Sequence, residues 1–236
     1  MLKTVLSFSF VVLPVLAGIL STSRACADSP PVHREGIEWC DLWITDGGGT
    51  KLPRVLLIGD SITRGYGSSV EALLKGKASV SRLATSKSVG DPVLLEEVAL
   101  VLKQYHWDVV HFNNGLHGWE YTEEDYKRSF PDFIGTIRKY APDAKLIWAT
   151  TTPMRSGPGL SEVNPRTDRV KERNRIAAEI VTRENIPTDD LFSLLDGRPE
   201  YYSGDGVHSN GKGVEAEATK VADSITKLLP TVAKND

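Results

Sequence analysis

Residues 55–63 read Val-Leu-Leu-Ile-Gly-Asp-Ser-Ile-Thr, and this stretch constrains the fold of the chain more than any other. Four apolar residues end abruptly in Gly-Asp-Ser, after which the pattern becomes amphipathic. Such a change predicts a buried strand, a tight turn and the first turn of a helix. Ser61 then lies where ligands bind in open α/β sheets, beside backbone N–H groups that can hold an anion. Asp and Ser are also common helix caps, so the tripeptide alone leaves a purely structural turn open.

A second polar set follows the last strand-like run of the chain. Asp205 precedes His208 by three residues in the sequence Asp-Gly-Val-His-Ser-Asn-Gly. An aspartate at this spacing can orient an imidazole through its Nδ1–H and leave Nε2 free to accept a serine proton. An exposed loop pair without a chemical role has the same pattern. Because parallel strands end at the same edge of a sheet, we expect this loop to meet Ser61.

Gly-Asp-Ser near the start and Asp-x-x-His near the end, in this order and at this separation, resemble the SGNH hydrolases of the GDSL esterase/lipase superfamily. Within that group the chain is similar to secreted carbohydrate O-acetylesterases. The resemblance covers nearly the whole chain after the N-terminal 27 residues. It implies that Ser61 is the nucleophile, His208 the base and Asp205 the acid that orients the base.

Five short strand-like runs alternate with amphipathic helical segments, which predicts an α/β fold with a parallel sheet covered on both faces. We expect the strand order 2-1-3-4-5 in a flavodoxin-like three-layer α/β/α sandwich with a five-stranded parallel sheet, and the resemblance implies the same fold. Residues 38–44 alternate enough to form an edge strand or a wrapped segment. Residues 154–166 are expected to be a long irregular loop that forms one wall of the substrate cleft.

The resemblance further implies an oxyanion hole that includes the Ser61 N–H. The family normally places a second donor, a glycine N–H, in the loop after the second strand. In this chain Gly90 is available, although it comes late in residues 84–90. The backbone of Ser86 or Ser88 is the alternative donor.

The third oxyanion donor departs from the family pattern. Related enzymes have Gly-x-Asn-Asp after the third strand, whereas this chain has Gly-Leu-His-Gly at residues 115–118. His117 therefore occupies the position of the asparagine, and an imidazole N–H can donate a hydrogen bond as an amide does. Asn114 is the competing donor. Three further residues are candidate substrate contacts: Trp119, which could stack on a sugar, Arg155 and Arg166.

Residues 1–27 are predicted to be a secretory signal peptide, which places the protein outside the cell or in the periplasm. Without Lys3 and Arg24, 26 basic residues remain against 31 acidic ones, a net charge of −5. This charge does not favour nucleic acid, and no membrane anchor is expected. Residues 28–236 are predicted to form a single domain. No cofactor or metal site is expected, and nothing in the sequence specifies the oligomeric state.

We therefore interpret the sequence as a serine esterase that cleaves short-chain acetyl esters, with a small molecule or a polysaccharide ester as substrate. The preferred substrate is carbohydrate carrying O-acetyl groups. Two alternatives remain open. One is another activity on the same scaffold, such as a lipase, a thioesterase or an O-acyltransferase. The other is a glycan-binding protein that has kept the fold without the activity.

Overall fold

The computed structural model describes residues 31–230, in which strands and helices alternate. The strands of this part of the chain are β1 (Cys40–Trp43), β2 (Arg54–Gly59), β3 (Ser79–Thr85), β4 (Val109–Phe112), β5 (Lys145–Ala149), β6 (Arg155–Ser156), β7 (Glu162–Val163) and β8 (Thr188–Asp189). Its α-helices are α1 (Ser61–Leu73), α2 (Pro92–Leu102), α3 (Glu123–Tyr140), α4 (Arg166–Arg183), α5 (Leu191–Leu195) and α6 (Gly211–Thr226). Short 3₁₀ helices cover Pro158–Leu160 and Pro199–Tyr201.

The central sheet has the order β1-β3-β2-β4-β5-β8. Its last five strands are parallel, so the predicted order 2-1-3-4-5 is confirmed. The predicted strand count of five is wrong, because β1 adds a sixth strand antiparallel to β3, with Cys40 opposite Thr85 and Trp43 opposite Arg82. Residues 38–44 therefore include an edge strand.

The sheet separates two apolar cores, and β2 shows how. Leu56 and Ile58 belong to the core beneath α2, α3 and part of α4, whereas Val55 and Leu57 belong to the core beneath α1 and α6. Successive side chains of a strand point to opposite faces, so a continuous apolar run buries both faces of the sheet. The result is the predicted three-layer α/β/α sandwich.

The carboxyl ends of the parallel strands lead into the loops that carry the polar motifs. Ser61 follows β2, residues 113–118 follow β4, and residues 190–210 follow β8. The loop after β5 is not irregular throughout, which corrects the expectation for residues 154–166. Within it, β6 and β7 pair antiparallel around a 3₁₀ turn, with Arg155 opposite Val163.

The predicted signal peptide lies outside the described residues. Within residues 31–230, none of the helices combines the length and the apolar character that a membrane crossing needs.

Candidate active site

Ser61 is the first residue of α1, and the turn before it explains the local sequence. The Asp60 side chain caps the helix by accepting a hydrogen bond from the Ile62 N–H at 2.9 Å. A side chain at Gly59 would place Cβ 2.0 Å from Oγ1 of Thr63, so only glycine allows β2 to turn this tightly into the helix. The Ser61 N–H belongs to the first turn, where helix N–H groups have no intrahelical partner. It is therefore available to an anionic oxygen beside the Ser61 hydroxyl.

Asp205 and His208 lie on a tight hairpin between the last strand and the last helix. The hairpin is closed by a bridge between Tyr202 and Ser209 and by the Ser203 N–H donating to the His208 carbonyl at 2.8 Å. Gly206 has a φ of 70°, in the left-handed region that favours glycine. This geometry folds the Asp205 carboxylate back toward the ring of His208.

The three side chains form one hydrogen-bonded series. The Ser61 Oγ lies 2.8 Å from His208 Nε2, and His208 Nδ1 lies 2.6 Å from Oδ2 of Asp205. A carboxylate at Nδ1 fixes the tautomer with its proton there, which leaves the Nε2 lone pair directed at the serine hydroxyl. His208 and Asp205 are open to solvent, with 46% and 50% of their side chains exposed. The arrangement can remove the hydroxyl proton as the oxygen attacks a carbonyl carbon.

The electrostatics of Asp205 suit that task. Partial burial by itself raises the pKa of the carboxyl. Hydrogen bonds from His208, from the backbone N–H groups of Val207 and His208 and from the Ser203 hydroxyl outweigh this effect and hold the pKa well below its usual value. Asp205 therefore stays ionised through the range in which a histidine changes its charge.

Arg155, predicted as a substrate contact, makes hydrogen bonds within the protein, and its contact with substrate stays a prediction. Its side chain is buried, with Nε donating to the Leu160 carbonyl at 2.6 Å and Nη2 to the Ser161 carbonyl at 3.0 Å. Its backbone N–H donates to the Gly206 carbonyl at 2.7 Å. Arg155 thus closes the β6–β7 hairpin and fastens it to the loop that carries Asp205 and His208.

Asn114 also makes hydrogen bonds within the protein, and its role as an oxyanion donor stays a prediction. Its Oδ1 accepts from the Val89 N–H at 3.0 Å and its Nδ2 donates to the Lys87 carbonyl at 2.8 Å. The buried amide ties the end of β4 to the loop after β3. Packing requires a glycine at position 90, because a Cβ there would lie 2.6 Å from the ring of Tyr121. An oxyanion role of Gly90 stays a prediction.

His117 lines a cavity of about 380 Å³, together with Leu116, Trp119 and Arg166. Leu116 packs in the same apolar cluster as Ile62 and Val207, the chain neighbours of Ser61 and His208. His117 and Ser61 follow two neighbouring parallel strands, β4 and β2, at the same edge of the sheet.

The ring of His117 makes an edge contact with Trp39, at 6.1 Å between centroids. The guanidinium of Arg64, one turn along α1 from Ser61, lies 5.0 Å from the Trp39 ring centroid. These contacts link the candidate oxyanion donor to the helix of the nucleophile.

Trp119 is half-buried at this cavity and is surrounded by cations. The guanidinium carbons of Arg173, Arg166 and Arg169 lie 4.9, 5.2 and 5.5 Å from its ring centroid. Arg169 also donates to the Trp119 carbonyl at 2.8 Å. The structure thus places both Trp119 and Arg166 at the wall of this cavity, and their contact with substrate stays a prediction.

Glu35 is the residue that sequence reasoning missed. Both of its carboxyl oxygens lie 3.0 Å from Nδ1 of His117, and Oε1 accepts from the Gly118 N–H at 3.0 Å. The two partners are 82 residues apart, and Glu35 belongs to no motif. No periodicity or spacing in the sequence could have found it.

A parallel sheet of this order, with a hydrogen-bonded serine, histidine and aspartate at its carboxyl edge, is the fold and site of an SGNH-type ester hydrolase. The chain belongs to the GDSL-like lipase/acylhydrolase family, whose model matches residues 57–216. No curated protein matches the chain significantly.

Solved structures share the fold at low sequence identity. The native aryl esterase of M. smegmatis has a TM-score of 0.62 at 15% identity, over 75% of this chain and 100% of that one. A lipase/acylhydrolase from Enterococcus faecalis has 0.59 at 21% identity, over 77% and 99%. A GDSL-like lipase from Bacteroides thetaiotaomicron has 0.56 at 16% identity, over 74% and 88%.

Proposed function

We propose that this ester hydrolase is a secreted serine esterase that removes acetyl groups from carbohydrate through a covalent acyl-enzyme. The observation that carries the serine mechanism is the unbroken series from Ser61 Oγ through His208 to Asp205, with separations of 2.8 and 2.6 Å. Both distances are within the range in which a base takes a proton from a nucleophile. Secretion is proposed from the character of residues 1–27.

The chemistry follows from these positions. His208 Nε2 takes the hydroxyl proton while Ser61 Oγ bonds to the ester carbonyl carbon, and the carbonyl electron pair moves onto its oxygen. The Ser61 N–H and His117 hold this oxyanion. As the tetrahedral intermediate collapses, the bond to the alcohol oxygen breaks and His208 gives that oxygen its proton. Water then repeats the attack on the acyl-enzyme and releases acetate.

The cavity supports a hydrated, sugar-like substrate. Its wall combines one aromatic ring, Trp119, with charged and polar side chains, among them Arg166 and Glu120. Binding sites that recognise a ligand with many hydroxyl groups need such convergent polar groups around an apolar surface. In the proposed complex the acetyl group lies beside Ser61, and the alcohol portion of the ester extends toward this wall.

The test compares the protein with its Ser61→Ala variant. Acetate release is measured from a short-chain chromogenic ester and from acetylated plant polysaccharide. We expect release from both substrates and a loss of about a million-fold in turnover in the variant, as in other serine triads. Ser68→Ala, on the exposed side of the same helix, is the matched control and should leave turnover unchanged.

Each other outcome points to a different function. Cleavage of long-chain esters far faster than acetyl esters would overturn the carbohydrate proposal in favour of a lipase. Transfer of acetyl to an added alcohol instead of water would indicate an acyltransferase. Glycan binding that Ser61→Ala leaves intact, without any hydrolysis, would indicate a binding protein on this fold.

A further inference from the structure

The tight hairpin before α6 ends at Asn210, the residue that caps this helix. The Oδ1 atom of Asn210 accepts from the N–H groups of Lys212 and Gly213, in the first turn of α6, at 2.9 and 3.2 Å. Its Nδ2 atom donates to the carbonyls of Glu200 and Tyr202, both at 2.9 Å. An amide has two donors and two acceptor lone pairs, so all four hydrogen-bonding positions of this side chain are used.

The two donor bonds join the two arms of the hairpin at its base. Asn210 belongs to the arm that follows His208, whereas the two carbonyls belong to the chain before the hairpin turn. The backbone N–H of Asn210 adds a third bond between the arms, to the Tyr201 carbonyl at 2.8 Å. The first arm is itself anchored, because the Tyr202 hydroxyl donates to the Pro153 carbonyl at 2.9 Å in the loop after β5. The side chain of Asn210 thus ties both arms to the start of α6.

Helix α6 in turn packs beside α1, the helix of the nucleophile. Tyr66 of α1 belongs to the same buried apolar cluster as Ala218 and Val221 of α6. Ser61 is the first residue of α1, and Asn210 caps α6. The amide of Asn210 therefore connects the hairpin of the base to the helix that packs against the helix of the nucleophile.

The hairpin lies close against α6. A Cβ at Gly213 would lie 2.3 Å from the Tyr201 carbonyl oxygen. The Ser61 Oγ and His208 Nε2 are 2.8 Å apart, although 147 residues separate them in the chain. Their separation therefore depends on how the hairpin is held on α6. Displacement of a catalytic group by about 1 Å can cost roughly 100-fold in rate.

We propose that Asn210 is a positioning residue that holds the hairpin on α6, so that His208 Nε2 stays within hydrogen-bonding distance of Ser61 Oγ. The inference rests on the proposed serine mechanism. Asn210 takes no part in proton transfer and acts through His208. The hydrogen bond between His208 and Asp205 does not involve Asn210. Loss of the amide should therefore move His208 and Asp205 together, relative to Ser61.

The experiment separates the amide donors of Asn210 from its role as a helix cap. Asn210→Asp and Asn210→Ser both keep an oxygen that can cap α6, because all three residue types are good caps. Both variants lose the NH₂ group, and in the aspartate variant a carboxylate oxygen faces the two carbonyls. We expect kcat for a short-chain chromogenic ester to fall roughly 10- to 100-fold in both, with KM within about twofold of the wild type. Should the aspartate variant fail to fold, Asn210→Ser carries the test alone.

Two controls separate positioning from support of the fold. Asn185→Asp makes the same chemical change at an exposed residue after α4, with a φ of 54° that aspartate also adopts, and should leave kcat unchanged. The second control adds Asn210→Asp to His208→Ala. Because Asn210 acts through His208, the added change should lower the residual activity by less than about twofold. A residue that only supports the fold would cost the same in both backgrounds.

Unchanged kcat in Asn210→Asp and Asn210→Ser would show that Asn210 is only a cap, and would overturn the inference. Equal losses with and without His208 would also overturn it. Both results leave the proposed function standing as long as hydrolysis depends on Ser61. Absence of Ser61-dependent hydrolysis would overturn the proposed function instead, and crystal structures of the wild type and Asn210→Asp then test the positioning. The separation of Ser61 Oγ and His208 Nε2 should exceed a hydrogen bond in the variant, and equal separations would refute the role of Asn210.

Discussion

Two carboxylate–histidine pairs lie at the carboxyl edge of the sheet, and they differ in how the chain brings the partners together. Asp205 and His208 are three residues apart on one hairpin, whereas Glu35 and His117 are 82 residues apart and join an N-terminal segment to the loop after β4. In both pairs the carboxylate contacts Nδ1. The first pair leaves about half of each side chain exposed, and the second is more shielded. A base that exchanges protons with substrate and water benefits from access, whereas a fixed donor benefits from a shielded surrounding in which charge acts more strongly.

The comparison predicts that the local pair carries the larger catalytic effect. Asp205→Asn should lower kcat by about four orders of magnitude, because an amide no longer holds the His208 proton at Nδ1. The measurement is turnover of the chromogenic ester, with thermal unfolding to establish that the variant is folded. Asp196→Asn, an exposed aspartate near this hairpin, should keep full turnover. A loss of less than tenfold in Asp205→Asn would show that His208 does not depend on this carboxylate.

The long-range pair should matter less, since in the proposed mechanism His117 stabilises the oxyanion and transfers no proton. His117→Ala removes one oxyanion donor and should lower kcat by about 10²–10³-fold, with a smaller change in KM. His106→Ala changes a histidine that is mostly exposed, and should have no effect on kcat. A His117→Ala enzyme as slow as Asp205→Asn would mean that His117 takes part in proton transfer, and the distinction between the two pairs would fail.

The local pair also depends on a backbone contact, which Gly206 allows us to test. A Cβ at Gly206 would lie 2.2 Å from the Arg155 carbonyl oxygen, and the residue has a φ of 70°. Gly206→Ala should therefore displace the hairpin and cost about 1–3 kcal/mol in stability. Displacement of a catalytic group by about 1 Å can cost roughly 100-fold in rate, and we expect a loss of up to that size in kcat.

The control for this change lies in the same hairpin. At Gly204 a Cβ would meet nothing within 4 Å, and Gly204→Ala should leave both stability and kcat near the wild-type values. Equal behaviour of the two variants would show that the hairpin tolerates movement at Gly206, and that the contact with Arg155 does not position Asp205 and His208.

The two pairs also show what the sequence could predict. Ser61, Asp205 and His208 follow strand ends, and their pattern is local, so the fold rules bring them to one edge of the sheet. The contact between Glu35 and His117 could not be predicted, because it depends on how the N-terminal segment packs against distant loops. Such contacts depend on packing between distant parts of the chain, which no local pattern encodes.

Two predicted site residues, Asn114 and Arg155, make internal hydrogen bonds that the sequence did not indicate. Asn114 and Arg155 have the donors that a substrate site needs, and their types made them candidates. In the structure those donors bind backbone carbonyls at Lys87, Leu160 and Ser161. Whether a polar side chain faces the substrate or completes the hydrogen bonding of a loop depends on backbone positions that residue type does not specify.

A third carboxyl group, near the His208 hairpin, gives the prediction with the smallest expected effect on catalysis. Its substitution should change the stability of the protein and leave turnover unchanged. Glu217 on α6 is 1% exposed, and neither of its oxygens has a hydrogen-bond partner among the described residues. Burial, together with the charge of Asp60, raises the pKa of Glu217 to about 8 and outweighs the opposite effect of the nearby Ser209 hydroxyl. Asp205 shows the opposite shift on the same side of the sheet, because hydrogen bonds there outweigh burial.

The raised pKa makes stability depend on pH with a definite sign. Between the ordinary value of 4.5 and about 8, the unfolded chain has lost the Glu217 proton and the folded protein has kept it. The folded state therefore binds more protons, and the free energy of unfolding falls by about 1.4 kcal/mol per pH unit across this interval. Above about pH 8 the carboxyl is ionised in both states and the difference stays constant. Glu217→Gln removes this slope.

The measurement is denaturant unfolding of both proteins from pH 5 to pH 9, compared with Glu215→Gln on the exposed side of the same helix. The gap between Glu217→Gln and the wild type should widen with pH and then level off, whereas Glu215→Gln should follow the wild type. A gap independent of pH would show that Glu217 is ionised in the folded protein and that its neighbours compensate its charge.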